Sequence, residues 1–316
     1  MWVGLAFVLA TARAQFVEER WANTSFLGPA DSPHRVAVCV VGTARTFVRP
    51  HVHGSLRRRV IDVLARRAAV VDVFAVMSQR DAAPKGQAGW DAASVDVTRA
   101  QLATALAAVA PRATGLFEPE PSADLAERAA LQARHWRWCG ALVARAERAD
   151  GGGYTHVVKT RPDLFWFADH PDLARFAQPD ASFFQPTFSR SKPWLCDWHF
   201  LATGPRAARA LLRLRAEGDD ARDGTAFGAS GCAECELAEV AAALAAALAP
   251  RGAVQRNWTF PALPVRMSRA GPSSEFLCDK VAHAVKLAID RGDLAPDVAH
   301  DRRRLCELAY PDERPP

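Results

Sequence analysis

The stretch "RVAVCVVGTARTF", Arg35 to Phe47, contains an unbroken apolar run that is followed by a glycine and a polar turn. An unbroken run, rather than one that alternates with polar residues, is typical of a parallel strand covered on both faces. We therefore predict a buried strand from Val36 to Val41 that ends at Gly42. Because all-parallel sheets occur almost only in α/β proteins, this stretch decides the expected fold class.

The neighbouring segments extend the same pattern. Residues 53–69 have an apolar stripe at helical spacing, and "AVVDVFAVMS", residues 69–78, predicts a second strand. An order of strand, helix and strand favours a right-handed crossover in an α/β sheet. Further strands are predicted at 115–117, from Tyr154, at 181–188 and at 196–204, and helices at 99–109, 122–149, 204–218, 232–252, 276–290 and 301–308.

The first fourteen residues resemble a secretory signal. An apolar run from Trp2 to Ala10 precedes a small-x-small pattern that suits cleavage before Gln15. This run is shorter than the ~20 residues that a membrane-spanning helix needs, and the alternative is a short signal anchor. Sequons at Asn23 and Asn257 agree with a glycoprotein of the secretory pathway, in the Golgi lumen or secreted. Membrane association is then expected only through an uncleaved N-terminal segment.

The remaining chain is predicted to hold one domain. Residues 15–34 are polar and are expected to be irregular, and residues 35–316 form a single α/β domain with a helical C-terminal annex. The net charge of +5 comes with one dense basic run, Arg57 to Arg59 with Arg66 and Arg67 beyond it, which is typical of a solvated helix face. No basic tract interleaves with aromatic residues, so nucleic acid is not an expected partner.

The seven cysteines fit an oxidising compartment. Cys39 lies inside an apolar strand and is the predicted buried free thiol, which leaves six cysteines for three disulfides. The alternative is a zinc site built on Cys232 and Cys235 with Cys278 and His283. An oxidising lumen favours the disulfides.

Two polar segments follow predicted strands. "GTARTF" begins at Gly42 and offers Thr43 and Arg45, and "KTRPD", residues 159–163, places three charged residues at the end of an apolar strand. In open α/β sheets, ligands bind outside the carboxyl ends of the strands. Burying charges without partners is costly, so these side chains either pair with each other or face a ligand. A salt bridge between Arg161 and Asp163 at the strand end is the plain structural interpretation.

Three segments, taken in order, carry a resemblance to a known class. "VAVCVVGTARTF", "YTHVVKTRPDLFWF" (residues 154–167) and "CDWHFLATGPRAARALL" (residues 196–212) resemble landmarks of GT-A-type glycosyltransferase-like proteins, related in pattern to lipopolysaccharide- and capsule-synthesis transferases. The similarity runs from Arg35 to Arg266. It implies a GT-A-like, mainly parallel mixed sheet flanked by helices, with a nucleotide-sugar donor and a glycan or other hydroxyl acceptor.

The resemblance also implies roles for individual residues. GT-A enzymes usually meet the donor diphosphate with an Asp-x-Asp motif through Mg²⁺ or Mn²⁺. Here Arg161 stands at the position of the first carboxylate, which leaves Asp163 as the candidate metal ligand. The expected donor-binding residues are Gly42, Thr43, Arg45, Lys159, Arg161 and Asp163.

The negative charge of the leaving group can be stabilised in two ways. The negative charge that develops on a nucleoside diphosphate is stabilised either by a hard divalent cation or by Arg and Lys side chains. Asp163 accordingly either holds a metal or orients Arg161 through a bidentate pair. Asp197, which neighbouring tryptophans flank, and Glu236, with Glu234 as its alternative, are candidates for the base that deprotonates the acceptor. The competing hypothesis is a catalytically inactive GT-A-like or lectin-like module that binds a sugar or a protein.

Other secreted α/β enzymes are less well supported. The sequence contains no Gly-x-Ser-x-Gly elbow, no Gly-x-x-x-x-Gly-Lys-Ser/Thr loop and no His-Glu-x-x-His motif. These absences argue against a serine hydrolase, a P-loop enzyme and a zinc protease of that type.

Overall fold

A computed structural model describes residues 18–22, 24–79, 97–118, 125–176, 182–186, 199–204, 255–258 and 262–264. The strands are β1 (Glu18–Trp21), β2 (Phe26–Leu27), β3 (Arg35–Thr43), β4 (Val70–Ser78), β5 (Ala113–Phe117), β6 (His156–Thr160), β7 (Leu164–Trp166), β8 (Ser182–Pro186), β9 (His199–Thr203), β10 (Gln255–Trp258) and β11 (Ala262–Pro264). The helices are α1 (Pro50–Leu56), a π-helical segment (Arg57–Ile61), α2 (Asp62–Ala65), α3 (Arg99–Val109), α4 (Leu125–Asp150) and a 3₁₀ turn (Leu173–Phe176).

The main sheet is mixed and mainly parallel, and helices pack on both of its faces. Its strand order is β1-β5-β4-β3-β6-β9-β8-β10, with β2 beside the start of β4. Strands β5, β4, β3 and β6 run parallel, whereas β1 and β9 pair antiparallel with their neighbours. This confirms the predicted fold class and is compatible with a GT-A-like fold.

The alternating side chains of β3 separate two core layers. Val36, Val38 and Val40 pack in the layer that contains side chains from α1, α2 and α3. Ala37, Cys39 and Val41 pack in the layer that contains side chains from α4. Since every one of these positions is buried, the unbroken apolar run of the sequence follows from a strand covered on both faces.

One cysteine prediction is wrong. Cys39 is not a free thiol but forms a disulfide with Cys139 of α4, with Cα atoms 6.1 Å apart and a sequence separation of 100 residues. The alternation of side chains along β3 directs Cys39 toward α4. The spacing of the cysteines in the sequence does not predict this contact. The other predicted disulfide cysteines and the alternative zinc ligands lie outside the described residues.

The boundaries of several elements differ from the predictions. The segment 15–34, expected to be irregular, contains β1 and β2, because long-range pairing with β5 and β4 supplies backbone partners that no local pattern reveals. The first helical region begins at Pro50, where a proline in the first turn is favourable, and ends at Ala65. The helices predicted at 204–218, 232–252, 276–290 and 301–308 lie outside the described residues.

The basic helix face is exposed and partly paired. The arginines of this face form ion pairs with carboxylates of α2 and of the segment that follows β7: Arg57 with Asp62, Arg59 and Arg66 with Asp169, and Arg67 with Asp172. These pairs hold the segment 169–172 against the helix. Within the described ranges, no helix has the length and apolar character needed to cross a membrane.

A buried polar network lies at the amino ends of the strands. The fully buried Asp72 accepts hydrogen bonds from Ser25, Tyr154 and Arg112, and Arg112 also binds Asp150. The hydrogen bonds from Arg112 lower the pKa of Asp150, and burial raises the pKa of Tyr154. Because ligands of open α/β sheets bind at the opposite edge, we interpret this network as structural.

Replacing Tyr154 with phenylalanine tests that interpretation. The Tyr154 hydroxyl donates to the Asp72 carboxylate at 2.5 Å. Losing a hydrogen bond to a buried charged group is expected to lower the free energy of unfolding by about 2 kcal/mol. Urea unfolding of the wild type and of Tyr154→Phe measures the difference. A change below about 0.5 kcal/mol would show that the hydroxyl is not needed by the network.

Candidate active site

The two polar segments meet where the strand order reverses. After β3 the chain builds β4 and β5 on one side, and β6 then adds to the other side of β3. Connections that leave neighbouring strands in opposite directions open a crevice at their carboxyl ends, and ligands of open α/β sheets bind there. Loop 1 (residues 42–47) begins at the last two residues of β3, and loop 2 (residues 161–163) follows β6, so both lie at the carboxyl-end edge where such a crevice is expected.

Gly42 and Pro162 form one contact between the two loops. Gly42 has a φ of +144°, a conformation that side chains rarely adopt. A Cβ atom at this position would lie 3.0 Å from Cδ and 3.4 Å from Cγ of Pro162. A glycine is therefore required both by the backbone conformation and by the proximity of the proline ring.

Two arginines share one buried carboxylate across the crevice. Nε and Nη2 of Arg161 donate to the two carboxylate oxygens of Asp163 at 2.8 and 2.5 Å. Nη2 of Arg45, from the other loop, lies 3.9 Å from the same Asp163 oxygen that Arg161 Nη2 contacts. The structure thus brings together Arg45, Arg161 and Asp163, and the salt bridge considered from the sequence is present.

The three side chains of this cluster differ in exposure. The Arg45 and Arg161 side chains retain 15% and 17% of their exposure, whereas that of Asp163 retains 3%. A buried carboxylate is stable only when it is paired, so Asp163 holds the guanidinium groups at the crevice. We call Arg45, Arg161 and Asp163 the arginine cluster.

The arginine cluster fits a divalent cation poorly. Both oxygens of Asp163 already accept hydrogen bonds from Arg161. The part of the chain that the structure describes contains no group of three or more His, Cys, Asp or Glu side chains that could hold a metal. The sequence left two roles open for Asp163, holding a metal or orienting Arg161. The observed geometry matches the second role, in which Asp163 orients Arg161 through a bidentate pair.

The hydroxyl groups near the crevice have mixed environments. The Ser78 hydroxyl of β4 donates to Thr43 at 3.4 Å, and the Ala44 amide donates to the Ser78 carbonyl at 2.8 Å, so loop 1 is attached to β4. The hydroxyls of Thr46 and Thr160 are buried and have no hydrogen-bond partner among the described residues. An internal water or a rearrangement on ligand binding would satisfy them.

Lys159 occupies a different layer from the one expected. It is the register partner of Cys39, and its Nζ lies 4.6 Å from the ring centre of Trp136 and 5.1 Å from that of Phe200. Cation–π contacts of this kind stabilise a desolvated ammonium group. The structure therefore places Lys159 between the sheet and α4, where Cys39 also points.

Two buried histidines beside the crevice were missed by the sequence reasoning. His199 is the cross-strand partner of Thr160, and its ring centre lies 5.5 Å from that of His170 and 5.1 Å from that of Trp166. Burial lowers the pKa of His170 to about 4 and lowers that of His199 well below its usual value. Isolated histidines in "DHP" and "DWHF" carry no signal that would have placed them together.

The remaining predicted site residues are not placed. Asp197, Glu234 and Glu236, the candidate bases, lie outside the described residues.

Comparisons with known proteins give little independent information. No family model matches the sequence, and no curated protein matches it. One solved structure that the chain resembles is the apo form of the glycosyltransferase GlyE from Streptococcus pneumoniae TIGR4, at 9% identity and a TM-score of 0.34. The match covers 70% of this chain and 45% of that protein, so it spans less than half of the neighbour's length. A match this distant establishes no activity for the present chain.

Proposed function

We propose that this protein is a glycosyltransferase that moves a sugar from a nucleotide-sugar donor to a glycan or other hydroxyl acceptor. The observation that carries the proposal is the arginine cluster, which lies at the carboxyl ends of β3 and β6 where the strand order reverses. The resemblance of three ordered sequence segments to GT-A-type transferases supports the same class.

The arginine cluster suits the leaving group of this reaction. When the sugar–phosphate bond breaks, negative charge develops on the diphosphate, and guanidinium groups at the crevice stabilise that charge electrostatically. Asp163 holds Arg161 in a bidentate pair, so little reorganisation is needed when the charge appears. Gly42 and Thr43 would let the backbone of loop 1 approach the diphosphate.

The proposed reaction uses arginines rather than a metal at the diphosphate. Both oxygens of Asp163 are bonded to Arg161, which makes Asp163 a poor ligand for Mn²⁺ or Mg²⁺. Asp197 and Glu236 remain the proposed bases for the acceptor hydroxyl. These assignments come from the sequence.

We also propose a secretory location. A disulfide that joins β3 to α4 inside the core suits folding in an oxidising compartment, since cytosolic disulfides are rare. The signal-like N-terminus and the two sequons agree with this location, either in the Golgi lumen or outside the cell.

Nucleotide binding by arginine variants tests the proposal. UDP, GDP and CMP are titrated into the purified chain by calorimetry, with Mn²⁺ and with EDTA. We expect at least one nucleotide to bind in EDTA, and Arg45→Ala to weaken it by about tenfold or more, the scale of losing one charged contact. Arg45 is informative because its removal leaves the bidentate pair of Arg161 and Asp163 intact.

The matched control is Arg59→Ala, which removes an arginine paired with Asp169 on the exposed helix face. This variant should bind like the wild type. If no nucleotide binds, or if Arg45→Ala and Arg161→Ala bind normally while the melting temperature falls, the arginine cluster is only structural. If Mn²⁺ is required for binding, the proposal that arginines rather than a metal stabilise the diphosphate is wrong.

A second candidate function is a catalytically inactive sugar- or protein-binding module. The observation that favours it is Arg161 itself, which occupies a position where GT-A enzymes usually have a carboxylate. Nucleotide-sugar hydrolysis or transfer by the purified chain distinguishes the two, because an inactive module would bind nucleotide without turnover.

A further inference from the structure

We infer that the contact between Gly42 and Pro162 sets the distance between Arg45 and Arg161 and thereby selects a nucleoside diphosphate over a monophosphate. This inference rests on the proposed function, because it assigns a positioning role within the same site. Neither residue is proposed to touch the reacting atoms.

The ladder between β3 and β6 ends just before the two loops. The parallel ladder between β3 and β6 runs from Val36 and His156 to Val40 and Thr160 and ends there. Beyond the last rung, the contacts that the described residues show between loops 1 and 2 are Gly42 with Pro162 and Arg45 with Asp163. The packing of Gly42 on the proline ring therefore helps to fix how far apart the loops lie.

Each loop has its own conformational restraint. The pyrrolidine ring fixes the φ angle of Pro162, and this residue lies between Arg161 and Asp163, which are joined to each other by two hydrogen bonds. On the other side, the Ala44 amide ties loop 1 to β4 through the Ser78 carbonyl at 2.8 Å. A displacement at Gly42 is consequently transmitted to the guanidinium groups rather than absorbed by the loops.

Diphosphate and monophosphate ligands place different demands on the spacing of the two arginines. A diphosphate presents two phosphoryl groups at a fixed separation, so it can contact both guanidinium groups only if their spacing is correct. A monophosphate needs a single arginine and tolerates a change in spacing. Widening the gap between the loops should therefore weaken diphosphate binding more than monophosphate binding.

The test compares Gly42→Ala, Pro162→Ala and the double variant. The probes are UDP and UMP, GDP and GMP, and CDP and CMP, titrated by calorimetry in EDTA, and the melting temperature of each variant is recorded. A methyl group at Gly42 would meet Cδ of Pro162 at 3.0 Å, so the proline ring and the loop that carries it must shift by a few tenths of an ångström, and the positive φ of residue 42 adds backbone strain. We expect Gly42→Ala to weaken diphosphate binding by about tenfold, or about 1.4 kcal/mol, and monophosphate binding by about threefold or less.

The double variant separates positioning from simple loss of stability. Pro162→Ala removes the Cγ and Cδ atoms that the new methyl group would meet, so it should restore part of the diphosphate affinity of Gly42→Ala. Equal losses for diphosphate and monophosphate, or a double variant weaker than Gly42→Ala, would overturn the inference.

The outcomes also distinguish this inference from the proposed function. If the wild type binds none of these nucleotides, the proposed function fails and this inference fails with it, whereas binding of a monophosphate without any diphosphate would overturn this inference alone. If the wild type binds a diphosphate and Arg45→Ala loses it, but Gly42→Ala keeps the same preference for diphosphate, only the positioning role is wrong.

Discussion

Replacing Cys39 and Cys139 together with alanine is expected to lower the free energy of unfolding by about 4 kcal/mol. The disulfide joins positions 100 residues apart, and a cross-link that closes a loop of this length strongly restricts the unfolded chain. Both cysteines are buried, so alanine fits without introducing a new polar group. Urea unfolding followed by circular dichroism measures the loss.

The control for this prediction is chemical reduction. Dithiothreitol should lower the stability of the wild type toward that of the double variant and should leave the double variant unchanged. If the double variant unfolds within about 1 kcal/mol of the oxidised wild type, the cross-link contributes little and the stability of the β3–α4 layer comes from packing alone.

Acidification from pH 6.5 to pH 4 is expected to destabilise the fold by roughly 3 kcal/mol for each of two histidines, in proportion to their pKa shifts. Burial lowers the pKa of both His156 and His170 to about 4 in the folded protein, from an ordinary value of 6.5. Below pH 6.5 the unfolded chain binds protons that the folded protein excludes, so the free energy of unfolding falls as the pH falls. Near pH 4 the folded protein begins to bind them as well, and this contribution levels off.

His199 should act in the same direction, because burial also lowers its pKa. Urea unfolding at pH 7, 6, 5 and 4.5 measures how the free energy of unfolding depends on pH, and the His170→Phe variant is the comparison. The phenylalanine can pack against Trp166 and Phe176, the present neighbours of His170, and it cannot bind a proton. As the pH falls, the free energy of unfolding of the variant should decrease less steeply than that of the wild type. Identical slopes would show that His170 accepts a proton without unfolding.

Protonation of these histidines is also expected to affect the proposed site. His199 is the cross-strand neighbour of Thr160, which precedes Arg161, so local opening around the protonated histidines would reach loop 2. Nucleotide affinity measured over the same pH range should fall together with stability, and His170→Phe should shift both changes.

Local patterns in the sequence determined a large part of the fold. The unbroken apolar runs of β3 and β4 predicted buried parallel strands, because a strand covered on both faces has no solvent-facing position for a polar residue. The helix at 99–109 is delimited by a capping box between Thr98 and Gln101 at its start. The two polar segments were also visible, since charges at the end of an apolar strand contradict the pattern around them.

The tertiary structure decided which residues meet. Strand β1 pairs with β5, Cys39 bonds to Cys139, and Lys159 faces the aromatic rings of α4 and β9 because of the register of β6. Alternation along a strand fixes only that neighbouring side chains face opposite sides, and the packing of the helices determines what lies on each side.

For the candidate site, the sequence by itself determined the residue types and the strand ends on which they lie. Only the tertiary structure decided that Arg45 and Arg161 share the carboxylate of Asp163, that Gly42 contacts Pro162, and that His170 lies beside His199. The physical reason is that residue type and periodicity are local properties, whereas a shared carboxylate depends on strand order and register between segments more than 100 residues apart.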